Sequence, residues 1–301
     1  MRLTIQLCTY KRPQLLARVL EACFDQTVSP DSYEVVLVND GSPDDTPAVI
    51  ERLRPAARCA FTVVHQANAG LAKARNAGLA RATGERVAFI DDDVLPTPVF
   101  AAEHLHSDQR HGDVIVRGAV INTSSFDRLP PPVWSIVNYS GNYFWTSNVS
   151  VRRARLDRVG GRFDESFAEY GWEDIELGMR LRARGVRGIF NRFAVAFHYK
   201  PRPTAGNVDG MLRQARSQAR TAVQLRALHE HWRVRLATGD DPVRRAFHRA
   251  VRRLGVPERL AATLGSPDGG RVLGAREAAA ARALARETYY DELDRAHGAP
   301  G

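Results

Sequence analysis

The sequence predicts an α/β fold built on a mainly parallel sheet with helices on both faces. Three observations carry that expectation. Short apolar runs alternate with helix-like stretches through the first two hundred residues. The connections between them are short, as in βαβ units. The notable polar clusters fall where apolar runs end, which is where such sheets bind their ligands.

Residues 3–7 read as the first strand. Residues 13–24 form a helix, with Pro13 in its first turn and Leu16, Val19, Leu20 and Cys23 at 3–4 spacing. Residues 33–38 are a second strand, closed by the turn cluster Asn39-Asp40-Gly41-Ser42-Pro43. A helix over 46–53, a strand over 61–64, a helix over 71–82 and a strand over 87–90 follow. Residues 121–148 read as an aromatic loop holding Trp134, Tyr139, Tyr143, Phe144 and Trp145. Strand character resumes at 149–151. A helix with Gly171-Trp172-Glu173-Asp174 at its start runs to Arg184. Strands over 188–190 and 193–197 end at His198.

Beyond Pro203 the pattern turns helical, over 208–235, 242–254 and 277–295, with a break at 265–274. The expected division is a catalytic domain over 1–203 and a helical extension over 204–301. In the extension, Val243, Phe247, Val251 and Leu254 form one apolar stripe among Arg244, Arg245, Arg249, Arg252 and Arg253. The expectation is a helix packed on the catalytic domain. The alternative is a helix lying on anionic lipid.

The 301 residues suffice for one large or two modest domains, and 44% hydrophobic with 26% charged residues is ordinary for a globular chain. Met1-Arg2 leads straight into a strand-like segment, without the apolar core of a signal peptide. No apolar run reaches the ~18 residues of a membrane span. The expected location is cytoplasmic, or peripheral at the inner membrane face. Cys8, Cys23 and Cys59 have no metal-type spacing and read as reduced thiols. The net charge of +9 is uneven: residues 200–301 hold 19 Lys and Arg against 11 Asp and Glu. No nucleic-acid motif accompanies that charge, so no nucleic-acid partner is expected. Peripheral membrane contact or a homodimer through the basic helices are the alternatives.

The chemistry starts at RVAFIDDDVLP, residues 86–96. A buried-looking strand ends in Asp91, Asp92 and Asp93. Adjacent carboxylates repel and resist burial, and no Lys or Arg follows nearby. That asks for a cation. Asp91 and Asp93, two apart in extended chain, can face one site. Oxygen donors suit Mg²⁺ or Mn²⁺, with water and phosphate filling the other positions. Asp40 either caps its turn or accepts a hydrogen bond from a base or sugar. Arg75 is either a surface cation or a planar fork for phosphate or base oxygens. Glu173 and Asp174 gain from a helix N-terminus, and either could be a general base. Trp172 could wall such a base with apolar surface.

VVLVNDGSPDDT, NAGLAKARNAGLARATGERVAFIDDDV and GGRFDESFAEYGWEDIELGMRLRARG together resemble glycosyltransferase family 2, inverting enzymes of the GT-A fold, over residues 1–200. CTYKRP departs from the family's usual T-Y-N-R, with Lys11 at the Asn place. The resemblance implies that Thr9 and Asp40 line a nucleobase pocket and that Arg75 contacts the nucleotide. Tyr10, Arg12 and Trp172 join the substrate-binding set. Asp91 to Asp93 become the D-x-D motif, with Asp93 a metal ligand and Asp91 or Asp92 at the ribose or metal. Asn148 resembles a position near the donor sugar or acceptor. Asp174 becomes the catalytic base and Glu173 an acceptor contact. The G-W-E-D form resembles galactosyl- and N-acetylgalactosaminyl-transferases, where a later His, here His198, completes the metal site.

The implied reaction moves a sugar from a nucleotide-diphosphate donor, UDP by default, to an acceptor hydroxyl with inversion, aided by Mn²⁺ or Mg²⁺. The nucleotide-sugar half would be residues 1–95 and the acceptor half 96–203. The acceptor would be a glycan, a lipid-linked intermediate or a small molecule, with the aromatics at 134–145 as its candidate surface. The alternatives are a nucleotide- or glycan-binding protein with a degenerate site, and a sugar nucleotidyltransferase. CTYKRP lacks the glycine cluster that the last would show.

Overall fold

The computed structural model describes residues 2–136, 143–265 and 269–298. The chain forms two compact units, one of Met1–Ala168 with Glu173–Lys200, the other of Glu169–Trp172 with Pro201–Gly301.

The first unit contains β1 (Leu3–Thr9), α1 (Pro13–Phe24), β2 (Tyr33–Asp40), α2 (Thr46–Leu53), β3 (Ala60–Gln66), α3 (Leu71–Leu79), β4 (Arg86–Phe89), β5 (Val94–Pro96) and α4 (Phe100–His111). It continues with β6 (Ile115–Thr123), β7 (Val149–Arg152), α5 (Arg153–Asp157), α6 (Glu173–Ala183) and β8 (Gly188–Tyr199). Among the described residues the sheet has the order β3-β2-β1-β4-β7-β6-β8-β5. The pairs β1–β2, β1–β4, β2–β3 and β6–β8 are parallel, and β4–β7, β6–β7 and β5–β8 antiparallel.

Side chains alternate across the sheet, and β4 shows the result. Ala88 joins the core of Leu3, Ile5, Leu7 and the α1 residues Leu16, Val19 and Leu20. Val87 and Phe89 join a second core with Phe144, Phe163, Leu177 and Leu181. Both faces are therefore covered, which explains why β1 and β2 read as nearly continuous apolar runs. Because β2, β1 and β4 run parallel, their C-terminal ends fall on one edge. Thr9, Asp40 and the three aspartates meet there.

Several expectations are corrected. β5, α4, α5 and most of β6 were not legible. The supposed loop from 121 still holds the end of β6. β6 carries Gly118, where a Cβ would collide with the Asn148 side chain and the Ala194 carbonyl. Glycine there permits a close approach of the neighbouring chain. The two strands expected over 188–197 are one, β8.

The second unit holds α7 (Val208–Leu228), α8 (Trp232–Thr238), α9 (Pro242–Arg253), α10 (Val256–Thr263) and α11 (Ala275–Ala296). The helix expected to run to Arg235 stops at Leu228. α8 restarts after His231, whose side chain accepts a hydrogen bond from the Arg233 N–H at 3.1 Å. The apolar stripe of α9 is exposed at Val243, Phe247 and Leu254. α9 instead turns its basic side to α11, through Arg245, Arg249 and Arg252 against Asp294. No helix among the described residues is long and apolar enough to cross a membrane.

Candidate active site

The three aspartates are not short of positive charge. Arg12 Nη1 donates to Asp92 Oδ1 at 3.1 Å and to Asp93 Oδ2 at 2.6 Å. Arg75 Nη2 donates to Asp91 Oδ1 at 3.2 Å. His198 Nε2 lies 3.4 Å from Asp93 Oδ1. The inference that a metal must balance these carboxylates is thus corrected: Arg12 from the loop after β1 and Arg75 from α3 reach them, and the His198 ring of β8 lies beside them. Thr9 Oγ1 donates to Asp92 Oδ2 at 2.7 Å.

The carboxylates differ in acidity because their surroundings differ. Burial pushes Asp92 up to about 6, against the pull of Arg12 and Thr9. Burial acts the same way on Asp93. There the His198 hydrogen bond and the charges of His198, Arg12 and Lys200 outweigh it, and the pKa falls to about 2. Asp91 points elsewhere than Asp93: its Oδ2 accepts from Ser147 Oγ at 2.6 Å, and its Oδ1 from Arg75.

Arg75 is the hub. It is buried, pairs through Nη1 with Glu173 Oε1, and donates from Nη2 to Thr146 Oγ1 at 2.6 Å as well as to Asp91. Its guanidinium also lies over the Phe163 ring at 5.3 Å. Arg75 is thus not the surface cation that was one reading of it: it ties α3 to the start of α6 and to the end of β4. Asp174 follows Glu173 on α6. Its Oδ1 accepts from the Ile175 N–H at 2.7 Å, and its Oδ2 lies 3.4 Å from both the N–H and the hydroxyl of Thr146. Burial and then the neighbouring Glu173 charge raise the Asp174 pKa well above the ordinary carboxylate range, and Arg75 opposes them. A raised carboxylate beside a held one is the usual signature of divided acid–base roles.

Asp40 accepts from the N–H groups of Ala69 and Gly70 at 2.9 and 3.0 Å and from Gln66 Nε2 at 2.6 Å. It therefore fixes the loop between β3 and α3. Tyr10 is exposed and Lys11 Nζ lies 4.9 Å from its ring centre. Lys11 has φ +60, and its N–H donates to Ser42 Oγ at 3.0 Å. Left-handed backbone of this kind favours Asn or Gly, which gives a physical reason for an Asn at this place.

Asn148 is not part of this network. Its amide donates to the Ala119 and Ala194 carbonyls at 3.0 and 2.9 Å, and its Oδ1 faces His104 Nε2 at 3.0 Å. Asn148 clamps the sheet interior, while its neighbours Thr146 and Ser147 reach Arg75 and Asp91. Trp172 packs with Ala219, Ala222, Tyr290 and Leu293 of the second unit, and its Nε1 donates to the Gln218 carbonyl at 2.8 Å. Gly171 and Trp172 both have positive φ, 110 and 70, so the chain enters α6 through a strained turn.

The aromatic segment is largely core. Phe144 is fully buried against Phe89, and Tyr143 stacks with Arg182 at 4.0 Å. Trp134 packs on Phe190 at 5.5 Å. Trp145 lies 6.2 Å from the ring of His198, which neighbours Asp93. Tyr139 lies outside the described residues.

Among the described residues, no group of three or more His, Cys, Asp or Glu is disposed to hold a metal ion. A smaller donor set fits one. Asp93 and His198 present an oxygen and a nitrogen side by side, and the His198 Nδ1 is buried without a partner. Two protein donors leave positions for diphosphate and water, as divalent cations at such sites require.

Residues 4–158 match the description "Glycosyl transferase family 2". The chain belongs to that family. Among family 2 relatives, the validoxylamine A glucosyltransferase of Streptomyces hygroscopicus subsp. limoneus is 31% identical over 221 residues, covering 61% of this chain and 48% of its own. The chain thus spans about half the length of that curated relative. A mannosyltransferase from Pyrobaculum calidifontis, solved in complex with GDP-Man and Mn²⁺, superposes with a TM-score of 0.62 at 19% identity, over 98% of this chain and 86% of that one. TarS residues 1–349 of S. aureus, in complex with UDP-GlcNAc, give 0.60 at 18% identity, over 99% and 93%. These structures share the GT-A fold with this family 2 member.

Proposed function

We propose that the chain transfers a sugar from a nucleoside-diphosphate donor to an acceptor hydroxyl, inverting the anomeric carbon in one displacement. The observation that carries the reading is the connected network from Asp91 through Arg75 and Thr146 to Asp174. It joins the candidate donor site at the end of β4 to a raised carboxylate at the start of α6. Family membership and the nucleotide sugars bound by the two solved relatives support it.

Asp174 takes the proton from the acceptor hydroxyl as its oxygen bonds to the anomeric carbon and the bond to the diphosphate breaks. Thr146 and the Ile175 N–H hold Asp174, and Arg75 holds Glu173 beside it. Arg12 carries positive charge on the diphosphate side. A divalent cation, Mn²⁺ or Mg²⁺, held by Asp93 and His198 would neutralise the departing diphosphate. Glu173 has its carboxylate on Arg75, so it positions rather than reacts.

The test is release of nucleoside diphosphate from a panel of UDP-, GDP- and dTDP-sugars, with and without candidate acceptor glycans. Acceptor-dependent release by the native chain, lost in Asp174→Asn while donor binding persists, supports the reading. Unaltered release by Asp174→Asn overturns the base assignment.

A further inference from the structure

α9 is an amphipathic helix packed the wrong way round. A surface helix normally buries its apolar stripe and exposes its charges. Here Arg245, His248, Arg249 and Arg252, at 3–4 spacing, face α11. Arg245 and Arg249 lie 2.9 and 3.1 Å from Asp294, and Arg252 reaches Asp294 and Asp291. His248 Nδ1 sits 2.8 Å from Glu287, and its ring stacks on Tyr290 at 3.7 Å. The basic side is paired within the unit. The opposite side carries Val243, Phe247 and Leu254, 78%, 62% and 68% exposed, with Ala246 and Ala250 between them. On α8, Trp232 and Leu236, one turn apart, are exposed too.

The charge around this face selects its occupant. Arg244 and Arg253 flank the stripe and are exposed. Arg253 forms no ion pair with any described residue, and Arg244 pairs only with Asp241 one turn before it. A second copy docking by a two-fold axis would set these arginines against themselves. An anionic lipid surface meets both requirements at once. Val243, Phe247 and Leu254 enter the acyl boundary, and Arg244 and Arg253 reach the headgroups on extended stems.

We propose that the exposed apolar face of α9, flanked by Arg244 and Arg253, docks the protein on anionic membranes. It lies on the surface and does not span. The proposal stands apart from the transferase reading.

The test is co-sedimentation of the full chain with vesicles of phosphatidylcholine containing phosphatidylglycerol, against phosphatidylcholine alone, at low and high salt. The native protein should bind the anionic vesicles selectively, and salt should weaken the binding. The double variant Val243→Ser with Phe247→Ser should bind at least tenfold more weakly, with an unchanged melting curve because both side chains are exposed. No binding by the native protein, or equal binding by the double variant, overturns the proposal. So does sedimentation velocity showing a native dimer that the double variant loses, since the face would then belong to a second copy.

Discussion

Arg75 and Glu173, 98 residues apart in sequence, form a buried ion pair that fastens the end of the first βαβ series to the helix bearing the candidate base. Removing one partner of such a pair strands the other charge in a poorly solvated site. Arg75→Ala should therefore destabilise the first unit by about 3–5 kcal/mol. Arg75→Lys keeps the charge but lacks the planar fork that reaches Glu173, Thr146 and Asp91 together. It should melt higher than Arg75→Ala yet still lose transfer about a hundredfold through misplacement of the site. Equal activity of Arg75→Lys and native protein would refute the positioning role.

Asp174→Asn should lower acceptor-dependent transfer by about 10²–10⁴, the usual contribution of a positioned base. Donor affinity, measured by calorimetry, should change little. The amide keeps the shape and the contact with the Ile175 N–H, so loss of folding is not the expected cause.

The raised Asp174 pKa fixes the sign of the pH dependence. A base works only when ionised, so activity falls as pH drops through its pKa. That acid limb should lie above the ordinary carboxylate range of about 4. Glu173→Gln removes the like charge that helps to raise it, so the limb should move to lower pH in that variant. A limb that stays in place would detach Glu173 from Asp174.

His104 predicts an acid-sensitive fold. The Asn148 amide donates to two carbonyls, so Oδ1 is its acceptor and His104 Nε2 must carry the proton. Nδ1, 2.8 Å from Ser150 Oγ, is left to accept. The ring is neutral and fully buried. Burial first, and the nearby Arg86 charge, depress its pKa from 6.5 to about 3. The unfolded chain binds that proton more readily, so stability is complete above pH 6.5 and declines as pH falls towards 3. The loss is roughly 3–5 kcal/mol. His104→Gln should be less stable at neutral pH but flatter in melting temperature across this range.

Lys11 lies in left-handed backbone beside the candidate donor site. Lys11→Asn should raise stability by about 0.5–1 kcal/mol, because Asn tolerates this conformation better. Denaturant unfolding measures the gain. A loss would mean that the Lys11–Tyr10 contact outweighs the backbone term.

Much of the first unit was legible because its signals are local. Pro13 with the 3–4 spacing of Leu16, Val19 and Leu20, and the turn at Asn39 to Pro43, are each contained in a dozen residues. The placement of Thr9, Asp40 and Asp91 to Asp93 at strand ends followed from the same runs. The charge balance was not legible, because Arg12 and Arg75 meet aspartates and Glu173 through the fold and not along the chain. β5 is three residues ending in Pro96, too short for a periodic signal. The partners of Asn148 were not legible, because an amide beside a site and an amide clamping a sheet look alike in sequence. On α9 the stripe was visible, but the side that docks inward depends on Glu287, Asp291 and Asp294 of α11, partners 39 to 49 residues further along the chain.

The central claim is that the edge holding Asp91 to Asp93 receives a nucleoside diphosphate. Isothermal titration of the full chain with UDP, GDP and dTDP, each with and without Mn²⁺, tests it most directly, with Asp93→Ala as the partner measurement. The account predicts that one nucleotide binds markedly tighter with Mn²⁺ and that Asp93→Ala removes the metal-dependent gain. Binding of no nucleotide in either condition, or binding that Asp93→Ala leaves untouched, would contradict it.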